Sequence, residues 1–302
     1  MRKQKNMTPG HVPRVRTYVG SPFQSLEEFF LKHRPRVQLF HLNAARRTVL
    51  VSRSGIRLTF PAFSLSALSG QTVKGNVQVK LFELNQPREA LLAALPTASE
   101  DRMVNALCQF QVNVFQDGVP LQLRLPLQIE VPANHPFEHP LQMRLFARSI
   151  PTVRTVRTKV FLDWRLLKSP VKLIKINGAR YYQFEVQRQS NFQLGHLLNR
   201  RSPRVMITAK IVSGPDLGEA LEAFLKLEGA NAVTKLYRSG SRFSGLNIPA
   251  PSSGHVVAFG MHNQQLHFGM GRLKKAADRR LQVTLQPATE ASIIQALAGL
   301  EA

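Results

Sequence analysis

Two alternating runs joined by a Pro-, Ser- and Gly-containing stretch constrain this chain more than any other feature. In GIRLTFPAFSLSALSGQTVKGNVQVKL, which runs from Gly55 to Leu81, Ile56, Leu58 and Phe60 alternate with Arg57 and Thr59. Val73, Val77 and Val79 alternate in the same way with Lys74, Gln78 and Lys80. A period of two sends successive side chains to opposite faces of an extended strand, so each run has one face to bury and one to solvate. An amphipathic helix would need apolar residues three and four apart. Gly55, Pro61, Gly70 and Gly75 fall at the ends of the runs, where the chain has to turn.

The same period recurs on both sides. VQLFHL begins at Val37, TVLV at Thr48 and FQVNVFQDGVPLQLRLPLQIEV at Phe110. Asp117-Gly118 and Asn177-Gly178 each stand between alternating runs and predict tight hairpins, because a two-residue turn there needs left-handed backbone that Asp, Asn and Gly tolerate. A second all-β stretch begins at Arg204 with VMITAKIV and continues through RFSGLNIPAPSSGHVVAFGMHNQQLHFG to RRLQVTLQP. Helix signals are few. Ser25 and Glu28 form a capping box ahead of Phe29 and Phe30, with Pro35 as the stop; REALLAAL over Arg88–Leu95 ends at Pro96; and ATEASIIQALAGL closes the chain. DLGEALEAFLKL, from Asp216 to Leu227, has helical start and stop signals as well, and strand over Ala223–Leu227 is the expectation only by the family resemblance described below.

The expected fold is therefore all-β: two antiparallel β-sandwich domains with a basic N-terminal arm and few short helices. With 302 residues there is room for two modest domains and a tail. The expected divisions are a basic arm and short helix over 1–36, a first sandwich over 37–132, a Pro-rich linker and basic hairpin segment over 133–202, a second sandwich over 203–288 and a terminal helix over 289–302.

Charge is the largest anomaly of composition. The formal net charge is +23, and it is unevenly spread. Up to Arg57 there are twelve Lys or Arg against Glu27 and Glu28, and from Arg144 to Lys210 fifteen against Asp163 and Glu185. Leu58–Leu141 carries five basic and seven acidic residues, so a nearly neutral first domain has strongly basic flanks. Such flanks suit a polyanion such as nucleic acid, anionic lipid or acidic glycan. Arg144, Arg148, Arg154, Arg157, Lys159, Arg165, Lys168 and Lys172 are the candidate polyanion-binding residues, since Phe146, Phe161 and Trp164 lie among them as on nucleic-acid surfaces. The plainer reading of the same residues is that the aromatics are core and the cations their exposed alternates.

No cofactor, metal site or enzymatic activity is expected. Cys108 is the only cysteine, which excludes an intrachain disulfide and a Cys-rich zinc site. The Pro residues beside His135 and His139 argue against the helix that would let them share a metal, and His262 and His267 are expected on opposite faces of one strand. No Gly-x-Ser-x-Gly elbow, phosphate-binding Gly-rich loop or His-Glu-x-x-His helix occurs. No window reaches the ~20 apolar residues of a membrane span. The basic start lacks the apolar run of roughly 7–15 residues that an export signal needs.

The blocks G-I-R-L-T-F-P-A-F, V-K-G-N-V-Q-V-K-L, L-A-A-L-P-T-A-S and F-Q-V-N-V-F-Q-D-G-V-P-L-Q-L occur here in an order that resembles the β-sandwich module of ankyrins, zonula-occludens proteins and netrin receptors. The resemblance spans about Val37–Pro132 and is closer to the version in surface proteins of bacteroidete bacteria. Phe243, Ile248-Pro249 and Val256-Val257-Ala258-Phe259 are similar to the transthyretin-like or immunoglobulin-like sandwich that often ends those proteins. The resemblance implies structural motifs without an active site, and a cell-envelope or surface location. Two functional expectations follow: a non-catalytic binding or scaffold protein of the cell envelope with a protein or glycan partner, and an intracellular polyanion-binding protein acting through its basic flanks.

Overall fold

The computed structural model describes residues 21–99, 102–133, 140–148, 164–198, 202–214, 217, 220–240, 242–250, 252–275 and 281–300. The basic arm before residue 21 lies outside this set, as do most of the Pro-rich stretch, His135 and His139. Strand dominates what is described, and helix is confined to three short segments, so the chain is all-β.

Helix α1 (Leu26–Lys32) starts where the capping signal stands: the Ser25 hydroxyl accepts from the Glu28 amide at 3.1 Å. There follow β1 (Gln38–Asn43), β2 (Thr48–Val51), β3 (Arg57–Phe60), β4 (Leu65–Ser66), β5 (Asn76–Leu84), α2 (Pro87–Leu92), β6 (Val104–Gln116), β7 (Val119–Pro120), β8 (Gln122–Leu123) and β9 (Leu127–Pro132). Next come β10 (Arg144–Arg148), β11 (Trp164–Leu166), β12 (Lys172–Ile176), β13 (Ala179–Val186) and β14 (Asn191–Leu197). One sheet has the order β1-β5-β6-β14-β10-β11 with β7 against β6, and a second the order β12-β13-β9-β3-β2. They face each other across one core, in which Val77, Val79, Phe110 and Phe192 of the first meet Leu58, Ile129, Tyr182 and Phe184 of the second. The two hairpins form where the turn residues predicted them, with Asp117, Gly118, Asn177 and Gly178 all at positive φ.

The segment expected as linker and separate basic hairpin takes a different place. β14 pairs with β6 in the middle of the first sheet, and β13 pairs with β9 in the second. Strands 37–132 leave edges that β10–β14 occupy, and the first core is closed only with their help. The physical reason is that Phe184, Val186, Phe192 and Leu194 are apolar alternates that need a buried face, and the nearest unpaired edges belong to the first two sheets.

The remaining strands are β15 (Arg204–Val212), β16 (Leu221–Leu227), β17 (Val233–Ser239), β18 (Arg242–Pro249), β19 (Gly254–His262), β20 (Gln265–Leu273), β21 (Leu281–Thr284) and β22 (Gln286–Pro287), followed by α3 (Glu290–Ala298). They make one eight-stranded sheet in the order β21-β15-β18-β17-β16-β19-β20-β22. Only Leu285 separates the two edge strands in sequence, and consecutive Cα atoms are ~3.8 Å apart, so the edges must meet and the sheet curls on itself. Gly269 permits the approach: a Cβ there would lie 2.4 Å from the Thr284 carbonyl oxygen. Ile207, Ala223, Leu225, Phe243, Val256 and Val283 fill the inside of the curl.

Its outside is apolar too. Phe224, Val257 and Phe259 alternate with the inner residues and are covered by Phe29 and Phe30 of α1, Ala90 and Leu91 of α2, and Ile293 and Leu297 of α3. Helix α2 therefore packs on this sheet, not across the end of the first core as its place in the sequence implies. Burial on both faces also explains why Leu221–Leu227 is strand despite its helix formers. Propensity differences are worth at most ~0.7 kcal/mol per ordinary residue, whereas burying a side chain such as Phe224 or Leu225 contributes ~1.5–3 kcal/mol.

The two halves are joined by backbone hydrogen bonds. Thr97 N donates to Val233 O at 2.8 Å and Ala106 N to Asn231 O at 2.9 Å. Among the described residues no helix is long and apolar enough to cross a membrane.

Candidate anion-binding cleft

Among the described residues the first core is open on one side. β11 is an edge of the first sheet and β12 an edge of the second, and residues 167–171 cross between them. Leu167 N donates to Leu145 O at 2.8 Å at the start of the crossing, and the Ser169 hydroxyl donates to Glu185 O at 2.9 Å in its middle. Between the crossing, the end of β13 and the start of β14 lies an open cleft of about 720 Å3. Phe184, Val186 and Phe192 form its base, and Lys168, Lys172, Glu185 and Arg188 stand around it. Three cations thus face one carboxylate. All four charged side chains belong to exposed residues.

Arg165 flanks the same place. It is opposite Ala147 in the ladder, and Ala147 is opposite Phe192, so Arg165 lies in the cross-strand row that ends at the base of the cleft. Arg165, Lys168, Lys172 and Arg188 are held by no ion pair or hydrogen bond among the described residues. Cations left unneutralised around one concavity raise the local positive potential, because low-dielectric walls focus the field.

The other predicted positions fare differently. Arg148 is only 7% exposed, and its guanidinium carbon lies 5.7 Å from the centre of the Trp164 ring, so it is a packing residue that a polyanion would not reach. Trp164 is itself buried and donates from Nε1 to Pro96 O at 2.9 Å, which removes the aromatic partner that interleaving with cations predicts. Arg144 is half-buried and donates to the carbonyls of Leu141 and Met143 at 3.4 and 2.9 Å. Arg154, Arg157 and Lys159 lie outside the described residues. Arg188 is the cation that sequence reasoning passed over. It has no aromatic neighbour in sequence, and only the return of the chain from β13 to β14 brings it beside Lys168.

Nothing described assembles into catalytic machinery. Cys108 is fully buried, and burial pushes its thiol far above the usual range, so it is no nucleophile. No group of three or more His, Cys, Asp or Glu that could hold a metal occurs among the described residues. His262 and His267 belong to two strands, β19 and β20, not to one. Pairing of His262 with Gln265 and of Gly260 with His267 puts both imidazoles on the same face, as diagonal neighbours. That corrects the expectation of opposite faces, and two residues still fall short of a ligand set. At Ser253, His255 and Glu228 the serine hydroxyl bonds the carboxylate directly, and Arg272 Nε holds the same carboxylate at 3.2 Å. A nucleophile would need its hydroxyl on the imidazole instead.

Fold and site together define an all-β protein with a cationic cleft at the open edge of its first core. No family model matches the chain, and no curated protein matches it either.

Proposed function

We propose that this chain is a non-catalytic binding or scaffold protein whose partner is a polyanion, engaged at the open edge of the first core by Arg165, Lys168, Lys172 and Arg188. The observation that carries the reading is that Lys168, Lys172 and Arg188, from two separate stretches of chain, line one cleft with their side chains in no ion pair among the described residues, with Arg165 nearby. The proposal includes the module resemblance: the blocks that carry it fall largely on β3, β5, α2 and β6, which makes the first core the frame that holds the cleft. The edge position of Lys172 also serves a second end, since lysine on an edge strand opposes pairing with another chain.

The test is binding of heparin and of single-stranded DNA as a function of salt. Each phosphate contact on a single strand contributes roughly 0.7 of a unit to the log–log salt slope. Changing Arg165, Lys168, Lys172 and Arg188 together to Gln is expected to lower both affinity and slope. The matched control is the same change at the exposed Arg46, Arg47, Arg53 and Lys74, which lie at the two ends of β1 and do not line the cleft. Equal loss in both variants would mean diffuse attraction, and no binding by the unmodified protein at low salt would end the polyanion reading.

A further inference from the structure

We infer that the cleft is a site for a small amphipathic anion, a molecule with an apolar body and one or two acid groups. This rests on the anionic reading above and narrows it.

Shape is the first argument. A strand of phosphates or sulfates needs a track, whereas about 720 Å3 of concave space lies within the ~300–1,000 Å3 typical of sites that enclose small molecules. The second argument is the order of polarity with depth. Phe184, Val186 and Phe192 at the base are members of the first core, and Leu167 and Pro170 line the side made by the crossing. Lys168, Lys172 and Arg188 are exposed, and each carries its charge at the end of an apolar stem. Lys168 and Arg188 therefore stand beside apolar surface, while Lys172, opposite Gln183, lies on the outer face of the second sheet, turned away from Phe184 and Val186.

Each simpler ligand leaves one half of this arrangement unmatched. Inorganic phosphate would pair with the cations and leave the apolar walls to water. A neutral apolar molecule would fill the base and leave Lys168 and Arg188 without a partner. An acid on an apolar body removes the walls from water and places its carboxylate, sulfonate or phosphate among the cations, where charge-assisted hydrogen bonds are strongest. Lys172 is opposite Gln183, so Glu185, two residues along on the same face of β13, is the diagonal neighbour of Lys172 and partly offsets it.

The test uses the full chain and the fluorescent probe anilinonaphthalene sulfonate, with dodecanoate, dodecanol and heparin as competitors. One saturable probe site is expected, displaced by dodecanoate at least tenfold more effectively than by dodecanol. The exposed triple variant Lys168→Gln, Lys172→Gln, Arg188→Gln should weaken the probe about tenfold or more. Ser169→Trp keeps every charge but fills the cleft, and should abolish the probe site while heparin still binds. Unchanged probe binding in the triple variant, or dodecanol competing as well as dodecanoate, overturns the inference. If Ser169→Trp lowers the unfolding midpoint, the triple variant decides alone, since its changes are at exposed positions. Heparin binding separates the two proposals: heparin bound and the probe site absent leaves the polyanion reading standing and this one refuted.

Discussion

The first core and the curled sheet bury strands of the same alternating kind, yet they treat their edges in opposite ways. The first leaves β11 and β12 apart, so the chain must cross the gap, and unpaired cations gather where it does. The second brings β21 and β22 together through Leu285 and has apolar side chains on its outer face as well as its inner one. Three helices from distant parts of the chain cover that outer face. An open edge leaves solvated backbone and a concavity that a ligand can enter, whereas the curled sheet is buried on both faces and its concavity of about 450 Å3, between β20 and the start of α3, carries Glu290 and no cation. On the function proposed above, the contrast is that the first half binds and the second contributes the larger share of doubly buried apolar surface.

The sharpest way to break it is to empty the covered face. Phe259 lies 5.3 Å from Phe30, 5.4 Å from Phe268 and 6.1 Å from both Phe29 and Phe224, measured between ring centres. Phe259→Ala should lower the unfolding free energy by about 3–5 kcal/mol in a urea titration and make residues 21–37 sensitive to protease. A loss below ~1 kcal/mol would mean that the helices do not seal this sheet.

Closure of the curl has its own test. A methyl group at Gly269 would meet the Thr284 carbonyl at 2.4 Å, so Gly269→Ala should destabilise by about 1–3 kcal/mol through overpacking. A neutral effect would show that β20 and β21 are free to part.

Acid should separate the halves further. Burial holds the imidazoles of His33, His255 and His267 below their ordinary value of 6.5; Glu290 and Glu228 partly oppose this at His33 and His255, and His262 adds to it at His267. A histidine with a depressed native pKa binds more protons when unfolded, so its contribution is complete above about pH 6.5 and falls as pH drops through that value towards the native pKa. His255 and His267 are in the curled sheet, and His33 follows the helix that covers it. Urea midpoints should therefore fall between about pH 7.5 and about pH 5, with less fall in His267→Gln. An unchanged midpoint, or a rise, would contradict the burial of these rings.

The smallest effect is expected at the cleft. Neutralising Lys168, Lys172 and Arg188 should leave stability within about 0.5 kcal/mol, because these are exposed side chains without partners. A larger loss would make the cations structural and remove the contrast with the curled sheet.

Much of the local structure was legible in the residues themselves. The alternation of Ile56, Leu58 and Phe60, the hairpins at Asp117-Gly118 and Asn177-Gly178 and the cap at Ser25 each follow from periods, turn geometry or capping that act within a few residues, whereas the local signals ahead of Leu227 favour helix and burial on both faces of the sheet makes Leu221–Leu227 a strand. The positive charge and two of the cleft's cations, Lys168 and Lys172, were legible as composition. What tertiary structure alone decided is which buried face answers which. Alternation states that Phe192 and Leu194 must be buried, but not that β6 will be their neighbour. The apolar sides of α1 and α2 are visible in sequence, while their shared place on β19 depends on long-range closure. Arg188 lines the same cleft as Lys168 only because the chain returns from β13 beside its own crossing, and Arg148 is lost to the surface only because Trp164 is held under Pro96. Short-range geometry is set by the bonds of neighbouring residues; the pairing of distant apolar faces is set by what other surface is left to cover them.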